Sequence, residues 1–214
     1  MNKLLVAFSL LLLAGGFLYY YNTHAESFRM TPIPGRVKAV PETNTVYKPA
    51  AAQLAAAKAV IRANRFNSGI AFLIDMKRAA SQNRFFVYDL NRDSIIAAGL
   101  VTHGRCGEKW LEGRRYSNTV GSMCTSLGNY RIGNPYQGRF GLAYKLYGLD
   151  SSNSNAFERY VVLHSHACVP EAETDYEICQ SDGCPTVSPG FLKQLQAIID
   201  ASPRPILLSI YESQ

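Results

Sequence analysis

Two residues able to do acyl-transfer chemistry, His164 and Cys184, lie at the two ends of one segment, VVLHSHACVPEAETDYEICQSDGCPTV at 161–187. The segment opens on a β-branched, apolar run ending at His164, the pattern of a buried strand that delivers a histidine to its end. It closes on Ser181-Asp182-Gly183-Cys184, a tight glycine-containing turn carrying a thiol. A thiol attacks a carbonyl only as thiolate, so it needs a neighbour that takes its proton, and His164 is the candidate. Gly183 allows the backbone to turn its amides inward, which would make an oxyanion hole from the N–H groups of Gly183 and Cys184. Pro185 has no N–H, so the amide after the thiol contributes nothing. Two other readings of the same residues stand beside this one. A cysteine after a glycine is often only a small buried residue. His164, His166 and Cys168 alternate on one strand face, and with Cys179 and Cys184 they could build a zinc site.

The cysteine count bears on both. Five is odd, and in an oxidising compartment a spare thiol needs a use. Cys106 and Cys124 flank a Gly/Arg/Ser stretch, and Cys168 and Cys179 flank an acidic loop. Pairing those two sets leaves Cys184 free; a different pairing, or five reduced cysteines, remains the alternative. Oxidation of Cys168 and Cys179, and the lack of any C-x-x-C spacing, argue against zinc, so no metal is expected. The acids Glu171, Glu173, Asp175 and Glu177 form either a solvated loop or, held beside the thiol, a surface for a cationic substrate group.

The elements that must position these residues are mostly strands. The 214 residues are 47% hydrophobic, with thirteen Tyr and ten Phe, enough for one well-cored domain and far from a disordered composition. Ile70 to Ile74 and Phe85 to Tyr88 read as a hairpin turning near Ser81-Gln82-Asn83. Ser94 to Val101, Asn129 to Ile132, Leu142 to Tyr147, Arg159 to Leu163 and Ile206 to Tyr211 read as further strands. Asp75 and Asp89 close strands and read as turn residues. An alanine-rich helix follows Pro49, running to Ala63 and packing on the outside of the domain. A second begins at Ser188 as N-cap with Pro189 behind it and runs through Ile199.

Residues 1–25 hold one Lys and a long apolar run ending near Thr23-His24-Ala25, which describes a secretory signal peptide. Extended through Tyr19 to Tyr21, the same run is long enough for an uncleaved membrane anchor. Both readings export the rest. Residues 26–48 read as a proline-containing spacer, leaving 49–214 as the functional domain with its N-terminal helix. The net charge of +6 is mild and spread out, which suits an anionic envelope. No basic run is interleaved with aromatics, so nucleic acid is not an expected partner.

His164 followed by Ser181-Asp182-Gly183-Cys184 resembles the signature of murein L,D-transpeptidase catalytic domains, a His, a loop, and Ser/Thr-x-Gly-Cys. FFVYDL at 85–90, VTHG at 101–104, YSN at 116–118, SLGNYRIG at 126–133 and YGLDSSN at 147–153 extend the likeness over Gly69 to Tyr211. Three positions depart from the common form. Ser165 stands where Gly is usual, Asp182 where His is usual, and Pro185-Thr186 replaces an apolar-Asn ending. The resemblance implies a mainly β, β-sandwich-like catalytic domain with flanking helices, located in the periplasm or cell envelope. It further implies a Cys184 thioester with a peptidoglycan stem peptide at its third residue, release of D-alanine, and transfer to an amine or to water. His164 would act as base and then acid, with no cofactor. Ser165, His166 and Ser181 are the candidates for orienting the imidazole or lining the cleft; His103 could line it too, although a turn histidine is its first reading. An inactive cell-wall binding module is the reading from another class.

Overall fold

The computed structural model describes residues 47–214, so the leader and almost all of the spacer lie outside the described residues. Among the described residues, eight strands and two helices follow in chain order. Helix α1 spans Ala51–Asn64, and strands β1 Ile70–Asp75, β2 Phe85–Asp89 and β3 Ser94–Gly99 follow it. Strands β4 Gly128–Gly138, β5 Gly141–Gly148, β6 Val162–Ser165 and β7 Thr186–Val187 come next, then helix α2 Pro189–Asp200 and strand β8 Leu207–Tyr211. They make one mixed sheet in the order β3-β2-β1-β8-β4-β5-β6-β7.

That order would leave β3 and β7 as opposite edges, yet the two meet. Val101, just beyond β3, bridges to Val187 in β7, and the Thr102 N–H donates to the Thr186 carbonyl at 2.9 Å. The sheet therefore curls until its edges join and encloses one core, which is how a single sheet yields a sandwich-like interior. Alternation decides which side chains go inside. Phe72, Phe85, Val87, Tyr130, Tyr144, Leu163, Val187 and Leu208 fill the interior, and the apolar face of α2 (Phe191, Leu192, Leu195) packs onto it. Ala71, Leu73, Phe86 and Tyr88, on the opposite face of the same strands, are covered by Leu54, Ala57 and Ile61 of α1. The expectation of a mainly β domain with flanking helices is met.

Local sequence signals explain several of these elements. Ser188 accepts the Phe191 N–H and caps α2 with Pro189 at the first position, as read from sequence. β1 and β2 pair antiparallel across the 81–83 turn. Asp89 is a turn residue whose carboxylate accepts two backbone amides, those of Asn91 and Arg92. Asp75 does more than close a turn. Buried, it accepts from the amides of Lys77 and Ser213 and from the Tyr47 hydroxyl, so it ties the start and the end of the described chain to β1. One expected strand is shorter than read: β6 begins only at Val162. Arg159 and Tyr160 belong to a run of overlapping turns bonded Arg159 to Asn155, Tyr160 to Phe157 and Val161 to Ala156, and Tyr160 is left-handed at φ 56°.

Candidate active site

Strands β6 and β7 run parallel, with His164 opposite Thr186 and Ser165 opposite Val187. Leu163 and Val187 point into the core, so His164 and Thr186 stand together on the other face. Their side chains meet: Thr186 Oγ1 lies 3.0 Å from His164 Nε2. The other ring nitrogen, Nδ1, is 3.1 Å from the Ser165 carbonyl. A carbonyl only accepts, so Nδ1 carries the proton and Nε2 presents the lone pair, the form a general base needs. Phe140, half exposed at the end of the β4–β5 hairpin, stacks on the ring at 5.1 Å and 19° and closes it from the solvent side.

Cys184 lies two residues before Thr186, and by the same register it falls beside Val162. Its sulfur accepts the Val162 N–H at 3.5 Å and faces the Tyr160 carbonyl at 3.7 Å. It is the free cysteine; Cys106–Cys124 and Cys168–Cys179 are disulfides, the pairing that leaves Cys184 over. With Cys168 and Cys179 oxidised, the zinc reading loses two of its three thiolates. Sulfur and imidazole line one cavity of about 350 Å³ together with Thr102, Phe140, Ser181 and Asp182. No hydrogen bond joins them here, since the sulfur is held by Val162 and Tyr160 and Nε2 by Thr186.

The turn behind the thiol is built around two small side chains. Ser181 donates its hydroxyl to the Cys184 carbonyl at 2.7 Å and accepts the Gly183 N–H at 3.2 Å. The Gly183 amide, expected in an oxyanion hole, is thus occupied by Ser181. The Cys184 N–H has no protein partner among the described residues. Gly183 sits at φ +104°, and a Cβ there would come within 2.6 Å of the Cys124 carbonyl, so only glycine fits. The disulfide Cys106–Cys124 therefore backs the Cys184 turn directly.

Arg159, which the sequence suggested only as part of a strand, is a cation beside the thiol turn. It donates to the carbonyls of Ser117 and Cys124 and to the Ser126 hydroxyl. Burial pushes the Cys184 thiol above its usual value, while the Val162 N–H and Arg159 pull it back in part. Burial likewise holds His164 below its usual value, opposed by the Ser165 carbonyl, with His166 adding to the lowering. The resting pair at neutral pH is therefore thiol and neutral imidazole. Alkylation of Cys184 by iodoacetamide reads the thiolate, so its rate should rise with pH and reach half its maximum above pH 9. Arg159→Gln should move that midpoint further up and Arg159→Lys restore most of it; an unmoved midpoint would remove Arg159 from the electrostatics of the thiol.

The remaining sequence candidates divide. Ser165 orients the ring through its carbonyl, not its hydroxyl. His166 lines the cavity, with its Nδ1 accepting the Cys168 N–H. His103, offered as a second choice for the cleft, does not line it. Thr102 and His103 alternate faces, so Thr102 enters the cavity while the His103 ring turns to Arg84 and to a separate cavity. The acidic loop is not placed against the thiol either. Glu171 accepts from Ser188 Oγ and the Gly190 N–H at the start of α2, where a negative charge is favoured, and Glu173 accepts the Asn83 N–H. Asp182, unusual in its position, forms an ion pair with Arg105 at 2.7 Å on the cavity rim. Cys168 and Cys179 both border the cavity. Their bridge closes a loop with a separation of 11, worth about 3 kcal/mol by chain entropy. The double variant Cys168→Ser/Cys179→Ser should lose about that much stability in urea unfolding.

Comparison with known proteins bears on the same residues. A family model for the L,D-transpeptidase catalytic domain matches residues 42–206, which includes His164 and Cys184. Among solved structures, the chain is similar to the crystal structure of the L,D-transpeptidase (residues 123–326) from Xylanimonas cellulosilytica DSM 15894. Identity is 16% and the TM-score 0.38, over 69% of this chain and 62% of that one. The search of curated proteins found no match.

Proposed function

The chain belongs to the L,D-transpeptidase catalytic domain family, and on that premise we propose that it is a cysteine acyltransferase acting on peptidoglycan stem peptides. The observation that carries the proposal is the free thiol of Cys184 sharing a cavity with a His164 whose Nε2 presents its lone pair.

The sulfur leaves the Tyr160 carbonyl and gives its proton to His164 Nε2, and the thiolate attacks the carbonyl of the stem's third residue. The oxyanion accepts the Cys184 N–H, the amide of the turn that is still available. Collapse breaks the C–N bond, the imidazolium returns its proton to the departing D-alanine nitrogen, and a thioester remains. An amine of a second stem, or water, then attacks the thioester. His164 takes the proton of that nucleophile and passes it to the leaving sulfur. With water as acceptor the same steps make an L,D-carboxypeptidase.

The two disulfides and the family together fit a protein working outside the cytoplasm. Among the described residues no helix is long and apolar enough to cross a membrane. A leader over 1–25, either removed or kept as an anchor, a spacer over 26–48 and a catalytic domain over 49–214 complete the proposal.

Exposure of the protein to a tetrapeptide stem tests it by intact mass. The expected product is an adduct on Cys184 equal to the donor less D-alanine, with free D-alanine in solution. Neither adduct nor D-alanine, with binding to cell wall retained, would leave a binding module in place of an enzyme.

A further inference from the structure

The face of the sheet that presents His164 continues away from it across β5 and β4. His164 stands opposite Ala143, and Ala143 stands opposite Tyr136, so these three share that face. Lys145 and Tyr147 follow Ala143 at intervals of two, and Arg131 stands opposite Tyr147, which puts them on it as well. Neither helix covers this part of the sheet. α1 packs on Ala71, Leu73, Phe86, Tyr88 and Leu207 of β1, β2 and β8, and α2 packs into the core.

Aromatic rings and cations are interleaved along it. Arg131 lies over the Tyr147 ring at 4.0 Å, and Phe157 stacks on Tyr147 at 5.3 Å and 11°. Lys145 stands between Phe157 and Tyr136, 5.5 and 5.7 Å from their ring centres. Glycines make room for the two tyrosines: a Cβ at Gly133 would meet the Tyr147 ring at 2.5 Å, and one at Gly138 the Tyr136 ring at 3.1 Å. Neither Arg131 nor Lys145 has an acidic partner among the described residues. The row of rings ends at the thiol–imidazole cavity, where Phe140 stacks on His164 and the Tyr160 carbonyl faces the Cys184 sulfur. Phe157 is 54% exposed, Phe140 51% and Tyr160 84%, while no Val, Leu, Ile or Met on β4 or β5 is exposed.

A set of exposed aromatic rings that runs into a reactive cavity marks a binding surface. The ligand that suits it has flat faces and many oxygens. A pyranose ring lays its slightly positive C–H face on the negative face of an aromatic ring. Its hydroxyl and acetamido oxygens accept hydrogen bonds from ammonium and guanidinium groups such as those of Lys145 and Arg131. We propose that this face is a saccharide shelf, which holds the glycan strand of peptidoglycan while a stem peptide of that strand enters the cavity. The choice of glycan rests on the stem-peptide reading of the cavity. Affinity of the shelf for sugar needs no acyl transfer and is measured without it.

Titration of the full chain with the tetramer of N-acetylglucosamine, followed by the ring signals of Phe157, Tyr147 and Tyr136, decides the matter. Saturable shifts of all three are expected in the millimolar range, with the monomer about tenfold weaker because it covers one ring only. Phe157→Leu keeps an apolar side chain but loses the flat face, so it should weaken binding about tenfold, whereas Phe157→Trp should keep it. Tyr176→Leu removes an exposed ring on the acidic loop and should change nothing. Lys145→Gln, with a weakening of about threefold, is the second variant should Phe157→Leu lose stability. No saturable shift with sugar, shifts with polyglutamate alone, or equal weakening by Tyr176→Leu and Phe157→Leu would overturn the proposal. Sugar binding without a stem adduct on Cys184 would count against acyl transfer and leave the shelf standing; an adduct without sugar binding would do the reverse.

Discussion

Cys184→Ser is expected to fold as the wild type does and to lose acyl transfer altogether, by a factor on the order of 10⁴ or more. The hydroxyl can keep both contacts of the sulfur, accepting from the Val162 N–H and donating to the Tyr160 carbonyl, so the turn held by Ser181 and Gly183 has no reason to move. What it lacks is acidity and nucleophilicity. A serine hydroxyl beside an imidazole already depressed by burial gives up its proton far less readily than a thiol. Cys184→Ala should be equally inactive but leaves the half-buried Val162 N–H unpaired, at a cost of about 1 kcal/mol. Adduct formation by intact mass beside thermal unfolding measures both. An undiminished adduct in the serine variant would remove Cys184 from the chemistry.

His164→Gln should lower the turnover rate by about 10²–10⁴ with a smaller change in KM, because in the proposed reaction the ring moves protons and does not hold the peptide. The pH profile carries the sharper test. His164 must be neutral to accept the thiol proton, and its value lies below the usual 6.5 of histidine. Wild-type kcat/KM should therefore be full above that range and fall as pH drops through the depressed value. The glutamine variant should lose this acidic limb along with its rate. A variant that keeps the limb would show that another group controls it. Substitution of the His103 side chain is the control, since its ring lies in the other cavity and only its backbone carbonyl, which accepts the Ser181 N–H, meets the Cys184 turn.

The way the site is assembled explains what could be read in advance. The Ser188-Pro189 cap, the hairpin at 81–83 and the strand leading to His164 are each written within a few neighbouring residues. Alternation and capping are local physics, so they survive without knowledge of the fold. The pairing of Cys106 with Cys124 and of Cys168 with Cys179 was accessible for a related reason, since each bridge closes a short loop. Thr186 was visible only as a departure from the family form. Its contact with Nε2 depends on β7 lying parallel to β6 in one particular register, and a shift of one residue would have sent it into the core. Phe140 reaches the imidazole from a different hairpin, and Arg159 reaches the thiol turn from a run of turns that resembled a strand.

Sequence by itself pointed to the candidate pair His164 and Cys184, the family likeness, the mainly β character of the domain and a cysteine pairing that would leave Cys184 over. Tertiary structure alone decided that the sheet closes on itself between Val101 and Val187, and with that closure which residues surround the pair. The contact of Thr102 with the Cys184 carbonyl spans 82 positions of chain, and that of Arg159 with Cys124 spans 35. No local pattern encodes such contacts, because they follow from how strands far apart in the chain come into register around a shared core. The same closure turned Thr102 toward the thiol and His103 away from it, which is why two adjacent residues serve two different cavities.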